Sequence, residues 1–165
     1  MPPLELFRLC EKVQAITSRY GTKVLINDRT DIALSLGLDG VHLTENSLPV
    51  DRVRKMIGNR LIGISAHDED QLIAAARSSA DFAVFGPVAA TASKPEGHRI
   101  VSPEEFKKAC SVAALPIFAL GGMNADKVKF WLDHGAQGVS GISLWMDVPD
   151  IGAQLKHLEK LLEHL

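Results

Sequence analysis

The sequence predicts an α/β fold of repeated strand–helix units, and three observations carry that expectation. Short apolar bursts without strict alternation recur along the chain, the pattern of parallel strands covered on both faces. The bursts begin near residues 23, 40, 61, 81, 116 and 138, mostly about twenty residues apart, with amphipathic segments between them. Polar residues follow the burst ends, where folds of this class place their ligands. An open doubly wound sheet and a (β/α)8 barrel both satisfy these observations. Polar residues supplied by every strand favour the barrel, although a closed barrel of this type needs eight strands and six bursts are visible.

Each element has its own warrant. Leu6, Leu9, Val13, Ile16 and Tyr20 recur at helical spacing, and Gly21 stands where a C-terminal cap belongs. KVLIND is the first burst. A short helix over Thr30 to Leu36 ends at Gly37, and GVHLT follows. Val50, Val53, Met56 and Ile57 predict a helix before LIGIS. The alanine-rich stretch over residues 68–79 precedes FAVFG. Ser102-Pro103-Glu104-Glu105 is a helix start, with Ser102 as cap, Pro103 in the first position and Glu105 closing a capping box. PIFALGG is the next strand, Asn124 caps the helix carrying Val128 and Trp131, and GVSGIS is the last strand. Ile151, Leu155, Leu158, Leu162 and Leu165 make a closing helix.

Composition bounds the class. A 165-residue chain that is 46% hydrophobic suits one domain with a sizeable core, and no composition break divides it. A net charge of -2 gives no reason to expect nucleic acid or an anionic membrane surface as partner. No apolar run approaches the roughly 18 residues that span a bilayer. Cys10 and Cys110 lie far apart and form no metal or redox pair, so a reduced, cytoplasmic protein is expected.

The stretch FAVFGPVAATASKPEG, Phe82 to Gly97, poses the functional question. A small-residue loop bearing Thr91, Ser93 and Lys94 follows a buried strand. It is either a phosphate site or a long surface connection.

Four motifs answer it together. LINDRTDIALSLGLDGVHL, LIGIS, FAVFGPV with T-x-S-K, and PIFALGGMN resemble the thiamine phosphate synthase family in order and spacing. The resemblance covers essentially the whole chain. The related thiazole tautomerases carry a histidine where this chain has Pro87, which steers the match to the synthases. The resemblance implies an incomplete TIM-barrel-like (β/α)8 fold, with residues 1–165 forming one domain that lacks the first two strands. It implies coupling of hydroxymethylpyrimidine diphosphate to hydroxyethylthiazole phosphate, giving thiamine phosphate and pyrophosphate, with magnesium as cofactor.

Carried over by position, the resemblance implies roles for particular residues. Asp28 is a magnesium ligand beside Asn27, and Ser65 lies near the diphosphate. Thr91, Ser93 and Lys94 form the loop whose lysine grips the diphosphate. Gly121, Gly122 and Ser143 hold the thiazole phosphate. Two departures stand out. The family's Q-x-R-x-K segment has no counterpart, since its place falls just before Met1. HLTENS puts Ser47 where the family carries a second metal-binding aspartate, with Glu45 as a possible substitute.

Alternatives stay open beside these roles. Asp28 could cap the helix starting near Thr30, Gly121 and Gly122 could serve a tight turn, and His42 reads as a packed, hydrogen-bonded histidine. Ligand contact and surface are equal expectations for His67. At the level of function, the alternatives are a catalytically impaired homologue that binds a phosphorylated small molecule, and a non-enzymatic oligomeric scaffold. A homodimer is expected, with residues 4–20 or 151–165 near its interface.

Overall fold

The computed structural model describes residues 1–91 and 99–163. The fold is α/β, with six parallel strands each followed by a helical segment, the arrangement of an incomplete (β/α)8 fold. The chain forms two compact units, Met1–Ser65 with Ala75–Asp81, and Ala66–Ala74 with Phe82–Leu165.

In the first unit α1 (Pro3–Thr17) leads through a 3-10 turn to Gly21, which takes the left-handed conformation at φ 67°. Then follow β1 (Leu25–Asn27), α2 (Thr30–Leu36), β2 (Gly40–Leu43), α3 (Val50–Ile57) and β3 (Leu61–Ala66). Ile26 pairs with Val41, and Val41 with Ile62, all in parallel. These residues, with Leu38, Val53 and Ile57, are buried and make the core. Gly37 ends α2 in the left-handed region, as its position predicts.

α1 bears the apolar stripe that its spacing predicts. That stripe is largely exposed, with Leu9 at 45% and Ile16 at 61%, as is Tyr20 at 78% in the 3-10 turn that follows, and only Cys10 of α1 is buried. Helical period reports which residues share a face, not what covers that face.

α4 (Glu69–Arg77) is followed in the second unit by β4 (Phe82–Phe85), α5 (Pro103–Val112), β5 (Ile117–Leu120), α6 (Ala125–Asp133), β6 (Gly138–Ser140), α7 (Ser143–Met146) and α8 (Ile151–Leu162). Val84 pairs with Phe118 and Ala119 with Val139, again in parallel. The capping box of Ser102 and Glu105 is complete, and the Asn124 side chain accepts from the Lys127 N–H. Phe85 stacks on Phe106 at 5.6 Å between centroids and Phe106 meets Trp131 edge-on at 5.1 Å, binding α5 and α6 to β4. α8 buries Leu158 against Ala125 and Val128, whereas Leu155 and Leu162 stay exposed.

A small device recurs where strands begin. The residue just before a strand donates its N–H at or just ahead of the start of the preceding strand: Asp39 to the carbonyl of Val24, Asp81 to Ile62 and Gln137 to Ile117. Two of the three are aspartates whose carboxylates take the N–H of that same residue, at 2.9 Å for Val24 and 2.6 Å for Ile62. The Lys23 ammonium, and then the Val24 N–H, hold the Asp39 carboxyl below its ordinary pKa. A depressed pKa contributes stability above the unfolded value, and that contribution is lost as pH falls through the folded one. Asp39→Asn should therefore flatten the acid limb of melting temperature against pH below about pH 4. An unchanged acid limb contradicts this role.

Candidate functional site

The first unit gathers polar side chains after β1, β2 and β3. Asn27 ends β1, exposed, in register with His42. Asp28 follows at φ 60°, in the left-handed region that a non-glycine residue seldom occupies. Its N–H donates to the His42 carbonyl at 3.1 Å, which fixes the turn. The carboxylate does not cap α2, whose N-terminus has no side-chain cap. Instead Asp28 Oδ1 accepts a short hydrogen bond from Ser47 Oγ. Ser47 Oγ in turn accepts the Thr44 N–H at 2.6 Å, so the loop after β2 is folded onto the end of β1.

His42 is half-buried, and its Nε2 lies 2.9 Å from Ser65 Oγ. Burial pushes the pKa of His42 down, against the opposing pull of Asp28. This matches the expectation of a packed, hydrogen-bonded histidine and adds a partner the sequence did not suggest. Glu45 is exposed, and among the described residues no three His, Cys, Asp or Glu side chains come together as a metal cluster.

The second unit holds a cavity of about 390 Å³ at the ends of β4, β5 and β6. Gly121, Gly122, Thr91 and Ser143 all line it, drawn from the loops after β4 and β5 and the start of α7. Ser93 and Lys94 lie outside the described residues.

The two glycines are required by geometry. Gly121 sits at φ 116° and Gly122 at φ 52°. A Cβ on Gly121 would meet Pro87 Cβ at 2.7 Å, and one on Gly122 would meet the Ala90 carbonyl oxygen at 2.5 Å. Close packing of the β4 loop on the β5 loop thus demands glycine at both positions before any ligand does. The same packing leaves this backbone bare at the cavity wall, where a peptide N–H can approach an oxyanion.

His67 lines the cavity too. Its Nδ1 lies 2.6 Å from the Gly86 carbonyl, which only accepts, so Nδ1 carries the proton. The His67 N–H donates to Gln71 Oε1 at 2.7 Å, and Arg99 donates to the His67 carbonyl at 3.0 Å while pairing with Glu105. Arg99 thereby buttresses the wall. Asp147, exposed just beyond α7, also lines the cavity. Nothing in its sequence setting marks it, because α7 has only four residues and no period to read.

The family profile described as thiamine monophosphate synthase matches residues 1–144. A putative thiamine-phosphate synthase of Geobacter sulfurreducens is 38% identical over 163 residues, covering 98% of this chain and 76% of the relative. The putative thiamine-phosphate synthase 2 of Aquifex aeolicus is 37% identical over 143 residues, 87% of this chain and 76% of its own length. Among solved structures, thiamine phosphate pyrophosphorylase from Pyrococcus furiosus superposes with a TM-score of 0.89 at 25% identity, over 99% of this chain and 79% of that one. 3-Hexulose-6-phosphate synthase, at 17% identity and a TM-score of 0.66, shares the fold. With a profile match over most of its length and relatives well above 30% identity, the chain belongs to the thiamine monophosphate synthase family.

Proposed function

We propose that this chain binds a phosphorylated small molecule through the cavity of its second unit, as a homologue whose coupling chemistry is impaired. The observation that carries this reading is the meeting of Gly121, Gly122, Thr91 and Ser143 in one cavity. Peptide N–H groups and two hydroxyls suit a phosphate monoester. The volume lies within the range of small-molecule sites. Hydroxyethylthiazole phosphate is the ligand to try, given the family. Calorimetric titration should detect it at or below millimolar concentration, and silence at millimolar ligand defeats the reading.

The family reaction, coupling hydroxymethylpyrimidine diphosphate to hydroxyethylthiazole phosphate, is the second reading. It calls on Lys94 to grip the diphosphate and on magnesium to bridge it. Magnesium takes oxygen donors in octahedral array, usually one or two carboxylates with substrate phosphates and water. Around Asp28 the neighbouring donors are hydroxyls, and Oδ1 is already hydrogen-bonded to Ser47. This set offers magnesium a single carboxylate, a weaker site than a pair. We therefore expect no thiamine phosphate from this chain at saturating magnesium, and its formation in a coupled assay would restore the second reading.

Ser47→Asp tests the metal argument directly. It sets a second carboxylate beside Asp28, so the variant should melt lower without magnesium and bind magnesium about tenfold more tightly, a gain of ~1.4 kcal/mol. Equal magnesium affinity in both proteins would remove Ser47 as the weak point.

The exposed stripe of Leu9, Val13 and Ile16 on α1 supports a homodimer as the assembled state. Light scattering that returns one 17.9 kDa chain refutes it.

A further inference from the structure

Lys127 reaches back from the first turn of α6 to the wall of the cavity. Its Nζ donates to the Gly122 carbonyl at 2.9 Å. The direction is settled, because an ammonium only donates and a carbonyl only accepts. Gly122 and Met123 line the cavity, whereas Lys127 does not. The Lys127 side chain is half-buried, and among the described residues no carboxylate pairs with it, whereas Lys129 on the same helix has Asp133. A second observation lies on the other side of the same peptide. Met123 is 3% exposed, and its N–H meets no acceptor among the described residues. A buried N–H without a protein partner is rare, and water or a ligand is what satisfies one.

We propose that Lys127 is a positioning residue: its hold on the Gly122 carbonyl turns the Met123 N–H toward an anionic group in the cavity. The proposal rests on reading that cavity as a phosphate site. The Gly122–Met123 peptide is trans, so the Met123 N–H runs antiparallel to the carbonyl that Lys127 holds and points to the side away from the ammonium. Lys127 acts through this one peptide group rather than by touching the ligand. Its charge also polarises the peptide, which makes the N–H a stronger donor.

Both ends of this peptide are fixed. On one side the Asn124 side chain accepts the Lys127 N–H at 3.1 Å, and Ala125 and Val128 are buried against Leu158, so the start of α6 is anchored. On the other side Gly122 packs against the Ala90 carbonyl, with no room for a side chain. A peptide between fixed ends can still flip, exchanging its carbonyl and N–H directions by rotation about the two flanking single bonds. Glycine on the N-terminal side leaves that rotation sterically open. The ammonium opposes it, because the flipped peptide would turn an N–H toward a cation and leave both unpaired.

The test has two arms, both with hydroxyethylthiazole phosphate as probe. The first needs no change at Lys127. In protein labelled with nitrogen-15 at methionine, with the Met123 amide assigned by its loss in Met123→Leu, the Met123 N–H signal should move downfield as the probe saturates the site. A signal that stays put in a protein that binds the probe overturns the proposal and leaves the phosphate reading standing. The second arm compares Lys127→Met, which keeps the apolar stem and loses the ammonium, with Lys127→Arg, which keeps charge and donor. Lys127→Met should weaken binding about fivefold, one hydrogen bond to an anion misdirected, and should shrink the Met123 shift at saturation. Lys127→Arg should stay within about threefold of wild type. Unchanged affinity in Lys127→Met overturns the role of Lys127. Weaker binding with the full Met123 shift overturns it as well, since the ammonium would then act by distant charge alone. An Arg variant as weak as the Met variant does the same, because neither donor nor charge would be the cause. A wild type that ignores the probe at millimolar concentration overturns the phosphate reading, and this proposal falls with it.

Discussion

Gly121→Ala should abolish phosphate binding and destabilise the protein by about 3 kcal/mol. Two costs combine. The backbone at φ 116° is one that a side chain rarely adopts, and the added Cβ would lie 2.7 Å and 2.8 Å from Pro87 Cβ and Cα. Neither atom belongs to a flexible side-chain end, so relief requires the β4 loop to move. That loop is pinned, because the Val88 N–H donates to the Leu120 carbonyl at 2.8 Å. Gly86 is equally committed, since its Cβ would fall 2.1 Å from the Leu120 carbonyl oxygen. Pushing Pro87 to Ala90 away from Gly121 and Gly122 would therefore split the cavity wall. Gly21→Ala is the matched control, having positive φ but nothing within 4 Å of the new Cβ. It should cost only about 1 kcal/mol and leave binding intact. Urea denaturation and ligand titration of both variants read the two effects. A Gly121→Ala protein that behaves like the control would show that the loops yield freely.

Arg54→Ala should destabilise the protein by about 3 kcal/mol. The guanidinium donates to four acceptors, the carbonyls of Gly58, Arg60 and Ser79 and the carboxylate of Asp81, at 2.5 Å to 2.9 Å. It thus ties the end of α3 to the turns leading into β3 and β4. Asp81 is engaged twice, by Arg54 and by the Ile62 N–H. The Arg54 side chain is 23% exposed, so the pair is only partly screened by solvent. Arg54→Lys should recover little, since one ammonium cannot reproduce a planar fork of donors. A urea midpoint unchanged in Arg54→Ala would reduce the cluster to surface decoration.

The strands were legible because each is a short apolar run. The helices were legible mainly through their ends: Gly37, the Ser102 and Glu105 box and Asn124 act as their residue types predict. The candidate site was legible where backbone chemistry demands a residue type, as at Gly121 and Gly122, although the first demand on them is loop packing. Asp28 was legible as a strand-end acid, but its bond to Ser47 needs the fold of the β2 loop, which local sequence does not encode. Asp39, Arg54 and Asp81 were not legible at all. A single charged residue beside a strand has no period, and its importance comes from partners 15 to 27 residues away.

The N–H and carboxylate links at Asp39 and Asp81 bear on the order in which the protein assembles. They close loops of 15 and 19 residues, one strand–helix unit each. Loops of that length are entropically inexpensive to close and form far faster than contacts between distant parts of a chain. Each unit can therefore latch onto its predecessor as it leaves the ribosome, without waiting for later sequence. A fault at Asp39 or Asp81 is then expected to slow the closure of its own unit first.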